Sequence, residues 1–457
     1  MKKLIILYCI SAWVGLGACS VYKSYERPDM PVVDSLYRQA AATSADTTSI
    51  ASLSWRELFT DPKLQALIET GLQNNTDLNI ARLKVTEAEA TLMTSRLAYL
   101  PSISFEPSGT LRSVDGNAMT KSYDIAASAS WEVDIFGKLT NAKRGAKAAL
   151  EQSEAYRQAV QTQLIATIAN SYYSLLMLDA QLDISERTAA NWGENVRAMK
   201  ALKAAGDATE LAVAQSEASK LSVDASIASL RQQIDQMENT LTALLGIAPQ
   251  KIDRTTIGEQ RFPTELAAGV PLQLLQRRPD VRQSEAALAQ AFYATNAARA
   301  AFYPSITLSG SAGWTNAAGA AITNPGQWLF TAVGSLGQPL FNRGRNIANL
   351  RIAKAQQEEA LLSFRQSLLD AGTDVNNALI QWQTARQRQQ IDQQQILSLE
   401  STVRSSELLM QYSSQNYLEV LTARQTLLQA ELTAVSDRFD EIQGVINLYH
   451  ALGGGAE

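Results

Sequence analysis

Proline is absent from residues 108–248 and again from 340–457, and all 12 prolines of the 457-residue chain lie outside those two windows. Proline removes a backbone donor and clashes with the preceding turn, so it breaks helix interiors. Both windows are rich in Ala, Leu, Gln, Glu and Ser, mostly good helix formers. Very long helices are therefore predicted in both. The reading is helices over about 138–204 and 208–245 in the first window, and over about 343–411 and 415–452 in the second. At 1.5 Å per residue the longer ones reach about 100 Å.

The chain also repeats itself. A shift of 203 sets Asp77 on Asp280, Arg96 on Arg299 and Pro101-Ser102-Ile103 on Pro304-Ser305-Ile306. A shift of 205 sets Ile135-Phe136 on Leu340-Phe341 and Lys138 on Arg343. A shift of 207 sets Leu211 on Leu418, Val213 on Val420 and Leu245-Gly246 on Leu452-Gly453. Collinear matches with small gaps indicate a tandem duplication, at a period far beyond a solenoid repeat. Each copy reads helix, two strands, long helix, turn, long helix. The helices before the strands are expected over 70–99 and 275–302. Each would stack end to end on the shorter hairpin helix and so match the long one in length.

Apolar residues recur at Leu361, Phe364, Leu368, Ala371, Val375, Ala378, Trp382 and Ala385, the 3-4 spacing of a coiled helix seam. Leu211, Ala214, Ala218, Leu221, Ala225 and Ala228 repeat it, and a second seam follows at Ile227, Leu230, Ile234, Met237, Leu241 and Leu244. Two seams on one helix suit a ring in which each helix touches two others; a simple coiled-coil dimer needs only one. Residues 102–135 and 305–341 change period. Tyr123, Ile125, Ala127, Ala129, Trp131, Val133 and Ile135 alternate with polar or small residues, as do Ile306, Leu308, Gly310, Ala312 and Trp314. Period two marks strands with two unlike faces. Gly116-Asn117 and Asn324-Pro325-Gly326 supply the turns. Trp131, Trp314, Trp328 and Phe330 are candidates for aromatic girdles at a membrane interface, or alternatively for the core of a soluble sheet. Only four strands come from one chain, and lipid cannot satisfy open strand edges. If the strands are membrane-embedded, an oligomer is implied, and three chains would supply twelve.

At the N-terminus, Lys2-Lys3 precedes an apolar run from Leu4 to Leu16, too short to span a bilayer and typical of a secretory signal. It ends Leu16-Gly17-Ala18-Cys19-Ser20, which resembles a bacterial lipobox. The expectation is a signal peptide over 1–18, cleavage before Cys19, and N-acyl and S-diacylglycerol lipid on that Cys, with no other cofactor. Lipid there anchors a chain without making it span. Ser20, where enteric bacteria use Asp for inner-membrane retention, resembles an outer-membrane address.

Composition narrows the function. With 46% hydrophobic and 19% charged residues and a mean hydropathy of −0.12, the chain is too polar for a bundle of membrane helices and too apolar for disorder. A net charge of −5 and no Lys/Arg cluster in the sequence argue against nucleic acid. One histidine, His450, and two cysteines, Cys9 and Cys19, exclude a Cys/His zinc site and a disulfide framework.

Several segments together resemble the TolC-like family of outer-membrane efflux channels, in its lipoprotein branch. They are Ser130-Trp131-Glu132-Val133-Asp134-Ile135-Phe136-Gly137-Lys138, Phe302-Tyr303-Pro304-Ser305-Ile306, Arg277-Arg278-Pro279-Asp280-Val281, Pro339-Leu340-Phe341-Asn342 and Asn447-Leu448-Tyr449-His450-Ala451-Leu452-Gly453-Gly454-Gly455. The resemblance implies a mostly α fold with membrane β. A homotrimer would build a tube of long coiled helices and one 12-stranded outer-membrane barrel. An equatorial belt would come from about 20–65, 247–274 and the C-terminus, leaving structural repeats at 66–246 and 275–453. It implies a passive export duct, not an enzyme, for drugs or other small solutes. A periplasmic adaptor (membrane fusion protein) and an inner-membrane transporter, often of RND type, would complete the path. The periplasmic aperture would close at the hairpin tips, 205–209 and 412–417. Gly206 suits the first turn. Ser413 stands where Gly is common, and Gln415 where some members carry Asp, so Asp207 and Glu419 become the substitute candidates. Asp370, Asp374 and the Gln-rich run 387–395 could line a wet lumen. Arg96 and Arg299, at the helix-to-strand junctions, could cap helices or meet lipid headgroups. A lipidated periplasmic adaptor and a lipid-anchored enzyme are the competing readings. Adaptors lack two such strand pairs, and the scarcity of His and thiols leaves little chemistry for an enzyme beyond carboxylates.

Overall fold

The computed structural model describes residues 22–28, 53–113, 115–116, 119–262, 278–316, 327–412 and 417–455. Cys9, Cys19 and Gln415 lie outside these. The elements in chain order are α1 (Trp55–Leu58), α2 (Pro62–Asn74), α3 (Thr76–Leu97), β1 (Ser102–Phe105), β2 (Ser108–Arg112), β3 (Thr120–Val133), α4 (Lys138–Ala205) and α5 (Glu210–Leu244). After a single 3₁₀ turn (Ile257–Glu259) come α6 (Pro279–Ala300), β4 (Ser305–Thr315), β5 (Gln327–Gly337), α7 (Arg345–Tyr412) and α8 (Tyr417–Ala451).

The duplication is visible in the element lengths. Helices α3 and α6 each have 22 residues, α4 and α7 each 68, and α5 and α8 each 35. The offset between copies corrects the sequence alignment at one point. The long helices open at Lys138 and Arg345, each after a glycine in the left-handed region, Gly137 and Gly344. Lys138 therefore corresponds to Arg345 rather than Arg343. The extra residues of the second copy sit mostly between β5 and α7.

Two other expectations change. The helix expected over 70–99 is two helices, α2 and α3, parted at Asn75. Asn75 leaves the helical region (φ −57°, ψ 128°), and its Oδ1 accepts from Leu78 N at 3.0 Å, so it serves as an N-cap. Its Nδ2 donates to Leu244 O, the end of α5, at 2.9 Å. In the second copy Arg278 stands at the matching position and donates Nη1 to Ala451 O, the end of α8, at 2.9 Å. Different side chains thus satisfy the same orphan carbonyl, and the shorter helices do meet end to end. The first strand of the first copy is also split, into β1 and β2. Both pair with β3 in one register, Phe105 facing Ala127 and Ser108 facing Asp124. The gap holds Pro107, which has no N–H. Glu106 N donates to Ala126 O, so in antiparallel alternation the nitrogen of Pro107 points to the outer edge.

The chain forms two compact units, one from residues 1–30, 83–154 and 283–366, the other from 31–82, 155–282 and 367–457, each as far as described. The first contains the antiparallel sheet, in the order β1/β2–β3–β4–β5. The second has the larger core, with Leu58, Phe59, Leu64, Ile68, Ile165, Ile168, Tyr172 and Tyr173 fully buried. Asp61 anchors the chain after α5 to this core. It caps α2 through Lys63 N (2.9 Å) and accepts from Tyr172 Oη (2.6 Å) and Gln260 Nε2 (3.1 Å), with Thr255 Oγ1 also bonded. Burial alone would raise its carboxyl, but the bonds from Thr255, Tyr172, Lys63 and Gln260 hold it below the ordinary value. Arg254 ties the same segment to Asp179 and Glu238.

The seam of α7 packs as expected: Phe364, Leu368, Ala371, Val375, Ala378 and Ala385 are buried. On α5 the two seams part company. Ile234 and Leu241 of the second seam are buried, whereas Leu211 and Leu221 of the first are 67% and 65% exposed. One apolar stripe is used within the chain and one is left open.

Candidate functional site

Pairing decides which side chains share a face of the sheet. Trp131 faces Leu308, Ile125 faces Trp314, Ile103 faces Ala129 and Phe105 faces Ala127. Across β4 and β5, Trp314 faces Trp328, Ala312 faces Phe330 and Ile306 faces Leu336. These residues make one apolar face, and most of its large side chains are exposed. The opposite face carries Ser104 with Ser128, Ser130 with Ser309, Glu132 with Thr307, and Ser311 with Thr331. Leu329 and Val333 interrupt it. A soluble sheet buries its apolar face against a second layer; this one turns it outward and keeps hydroxyls on the other side. That is the dyad pattern of a membrane barrel wall, apolar to lipid and polar to the lumen. Strands β4 and β5 have 11 residues each, the length that crosses a bilayer when tilted. No helix among the described residues is long and apolar enough to cross a membrane.

Among the described residues, the sheet's two outer strands, β1/β2 and β5, each pair on one side only. Unsatisfied edges are not tolerated in lipid, so a wall of this kind closes with further strands.

The four aromatic candidates fall at two levels of the apolar face. Trp131 lies near the helix end, where its indole N–H donates to Tyr99 O at 2.9 Å. Phe136 and Tyr303 stack beside that end at 4.9 Å. Trp314 and Trp328 pack at 4.9 Å near the other end, with Phe330 one rung in and 79% exposed. The Trp131 and Trp314 levels are about 20 Å apart along β4 at 3.3 Å per residue. Exposure rules out the soluble-core alternative within the chain. Residues 22–28 run along α6: Tyr25 meets the ring of Phe292 at 5.8 Å, and Arg27 pairs with Glu285. No sequence signal pointed to this packing.

The first tip is closed by local bonds. Gly206 has φ +86°, its N–H bonds Lys203 O at 3.0 Å, and Asp207 N bonds Leu202 O at 2.9 Å. This is the Schellman pattern that glycine favours at a helix end. Thr209 then caps α5 through Ala212 N at 3.2 Å, and Lys203 pairs with Glu210 across the turn. Beneath the turn Trp192, Met199, Val213, Val223, Tyr417 and Leu421 form a buried cluster. It contains a polar bridge that sequence reading missed. Ser216 Oγ lies 3.0 Å from Asn195 Oδ1 and 2.6 Å from Tyr417 Oη, all three residues being buried. Tyr417 thus fastens the start of α8 to the α4–α5 hairpin. Burial pushes its hydroxyl pKa up. Arg424 of α8 bonds Glu407 of α7 (3.1 Å) and Asn191 O of α4 (3.3 Å), a second tie between the hairpins.

Asp207 and Glu419 are exposed, and neither makes an ion pair among the described residues. Gln415 lies outside them. Asp374, a candidate lumen acid, is half-exposed and ion-paired. It bonds Arg278 Nη2 at 2.9 Å, beside Asp280, and His450 is partly buried at the same cluster. Gln389 of the Gln-rich run likewise bonds Asp437 O and Glu441, while Gln387, Gln390, Gln393, Gln394 and Gln395 are exposed. Among the described residues no three His, Cys, Asp or Glu side chains converge to hold a metal.

The family model described as outer membrane efflux protein matches residues 67–247 and 270–454, one segment for each repeat. The cation efflux system protein CusC of Escherichia coli K12 is 31% identical over 453 residues, 98% of each chain. The probable outer membrane lipoprotein SilC of Salmonella typhimurium is 29% identical over 458 residues, 100% of this chain and 99% of its own. Among solved structures, a crystal structure of CusC superposes with a TM-score of 0.85 at 29% identity, covering 95% of this chain and 100% of that one. The open state of the MtrE outer membrane channel of Neisseria gonorrhoeae gives 0.86 at 28%, covering 96% and 99%.

Proposed function

The chain belongs to the outer membrane efflux protein family, and on that premise we propose that it is the passive outer-membrane duct of a tripartite export system, working as a homotrimer. The carrying observation is the single-layer sheet with an outward apolar face, a hydroxyl-lined reverse and two one-sided edges. Three copies supply twelve strands, enough to close a barrel and leave a lumen. The open Leu211–Leu221 stripe of α5 supports the same state, since a helix in a ring needs a second neighbour.

Solutes pass without covalent chemistry. An inner-membrane transporter, of the RND class by family resemblance, supplies the energy, and a periplasmic adaptor joins it to the duct. Lipid on Cys19 adds an anchor in the outer membrane. The hairpin tips form the closing element. Gly206 sets the turn, and Asp207, Glu419 and Gln415 are the candidates for contacts that hold the aperture shut. Nothing in the sheet or helices favours the adaptor alternative.

Detergent-extracted mass with planar-bilayer conductance tests the reading. A species near three protomers that opens discrete pores is expected; a monomer or dimer without conductance overturns it. Cys19→Ser is expected to leave an unlipidated precursor, and labelled palmitate still entering that variant removes the anchor. Neutralising Asp207 or Glu419 is expected to raise closed-state leak, and unchanged conductance in both removes them from the gate.

A further inference from the structure

Residues 286–357 contain no Asp or Glu and five cations: Arg299, Arg343, Arg345, Arg351 and Lys354. The fold gathers these at or near one end of the sheet. Arg299 is in the last turn of α6, just before β4 opens at Ser305. Ser305 pairs with Gly337, where β5 ends, and the chain then passes Arg343 into α7, whose first turns bear the remaining three. All five are exposed, and none has an ion-pair partner among the described residues.

Helix stability does not explain these charges. A helix N-terminus carries partial positive charge and favours anions, yet α7 opens with arginine and has no acid in its first turn. The duplicated fold does not require bare cations either. In the first copy Arg96, Lys138, Arg144 and Lys147 occupy the positions of Arg299, Arg345, Arg351 and Lys354. There Lys138 pairs with Glu132 at 2.7 Å and Lys147 with Glu151 at 3.4 Å. Asp134 caps the helix, accepting from Leu139 N at 2.9 Å and Thr140 N at 2.7 Å. In the first copy two of these four rim charges, Lys138 and Lys147, have ion-pair partners; in the second copy none has one among the described residues.

The surroundings identify the partner's chemistry. Leu340 and Phe341, immediately before Arg343, are 94% and 86% exposed, and Phe302 and Tyr303 are exposed on the α6 side. Apolar and aromatic groups at the edge of a lipid-facing sheet, with long cations just beyond, match the interface of a bilayer. Rings lie at headgroup depth there, and Arg or Lys reach the phosphates. The N-terminal segment points to the same level. The Tyr22 ring packs over Gly137, 3.5 Å from where a Cβ would stand. Cys19 is only three residues further on, a reach of about 11 Å at most.

We propose that the second-copy rim, Arg299, Arg343, Arg345, Arg351 and Lys354, binds anionic glycerophospholipid headgroups of the leaflet at the helix end of the sheet. This rests on the sheet being the membrane wall, and its failure is separable from the failure of that reading. A chain that does not insert into bilayers fails before any lipid is counted.

The test uses the full chain reconstituted in nanodiscs of phosphatidylethanolamine with a minority of phosphatidylglycerol, with the retained lipids counted by native mass spectrometry. Phosphatidylglycerol is expected to be enriched several-fold over its bulk share, and the enrichment to fall with salt as charges are screened. The variant Arg345→Gln/Arg351→Gln/Lys354→Gln is expected to lose the whole enrichment and return to the bulk share, since one charge near the surface is worth about fivefold. Lys138→Gln/Lys147→Gln, which removes the two ion-paired cations of the first copy, is expected to keep it. No enrichment in the wild type, enrichment that ignores salt, or equal loss in both variants overturns the proposal. The salt series needs only the wild type, so a variant that fails to assemble does not remove the test.

Discussion

Ser216→Ala probes the buried bridge under the first tip. The serine hydroxyl has one proton. Asn195 Oδ1, at 3.0 Å, can only accept, so that proton goes there and the hydroxyl accepts from Tyr417 Oη at 2.6 Å. Alanine therefore strands two buried groups at once, the Tyr417 hydroxyl and the Asn195 oxygen. Each unsatisfied buried group costs about 1–3 kcal/mol, so the local loss is about 2–4 kcal/mol after some relaxation. Tyr417→Phe keeps the ring in the cluster and removes one bond, leaving Ser216 bonded to Asn195; its loss is about 1 kcal/mol. The double variant strands only the Asn195 oxygen and is expected to be no worse than Ser216→Ala alone. That non-additivity is the signature of one shared network. Amide hydrogen exchange over 192–223 of the assembled protein reads the effect, each 1.4 kcal/mol being about tenfold in rate. Exchange is expected to accelerate about 30-fold or more in Ser216→Ala and about fivefold in Tyr417→Phe, with closed-state leak in bilayers rising in the same order. Tyr417→Phe at least as damaging as Ser216→Ala, or additive losses in the double variant, refutes the assigned proton arrangement.

Gly444→Ala would put a Cβ 2.9 Å from Trp382 Cα and N, backbone atoms that cannot swing aside. Overpacking of about 1–3 kcal/mol is expected to outweigh the roughly 1 kcal/mol gain in helix propensity, and a raised Tm would contradict it. Asp61→Ala leaves Tyr172, Thr255 and Gln260 without their shared acceptor and is expected to cost about 2–4 kcal/mol, read by thermal unfolding. Because the folded Asp61 carboxyl sits below its ordinary value of 3.8, the stability it contributes is present above that pH. It is lost as pH falls through the depressed folded value, and the variant should lack that acid limb. His450 is lowered from 6.5 by burial and by Arg278, with Asp280 and Asp374 opposing. Below pH 6.5 the unfolded chain takes up a proton that the folded one resists, so stability falls on acidification by up to about 1.4 kcal/mol per pH unit. His450→Gln should flatten Tm between neutral pH and the depressed value, and an unchanged slope there contradicts the assignment.

What could be read from the sequence was whatever repeats locally. The seam from Phe364 to Ala385 and the alternation from Tyr123 to Val133 are periodic, and both set burial and facing as expected. Gly206 at the first turn was equally legible, because a left-handed helix end has few occupants. The break at Asn75 was not, since its decisive bond runs to Leu244, 169 positions away. Residues 70–99 read as one helix until that contact is known. The Ser216–Tyr417 bond spans 201 positions and leaves no periodic trace. The offset at Gly137 and Gly344 was obscured because Lys138 finds an arginine at either of two shifts. The bond from Arg278 to Asp374, 96 positions away, was not legible either, since only the fold brings the two near.

Pro107 has a consequence for the life of the chain before it reaches its neighbours. Until it meets another copy, the chain leaves the outer edge of β1/β2 unpaired among the described residues, and a long free edge is a template on which any extended segment can polymerise. At Pro107 that edge lacks a rung on its outward side. A stray strand laid along it loses a hydrogen bond in mid-ladder, while a cognate strand can be matched to the missing donor. One imino acid thus guards against aggregation and also checks identity.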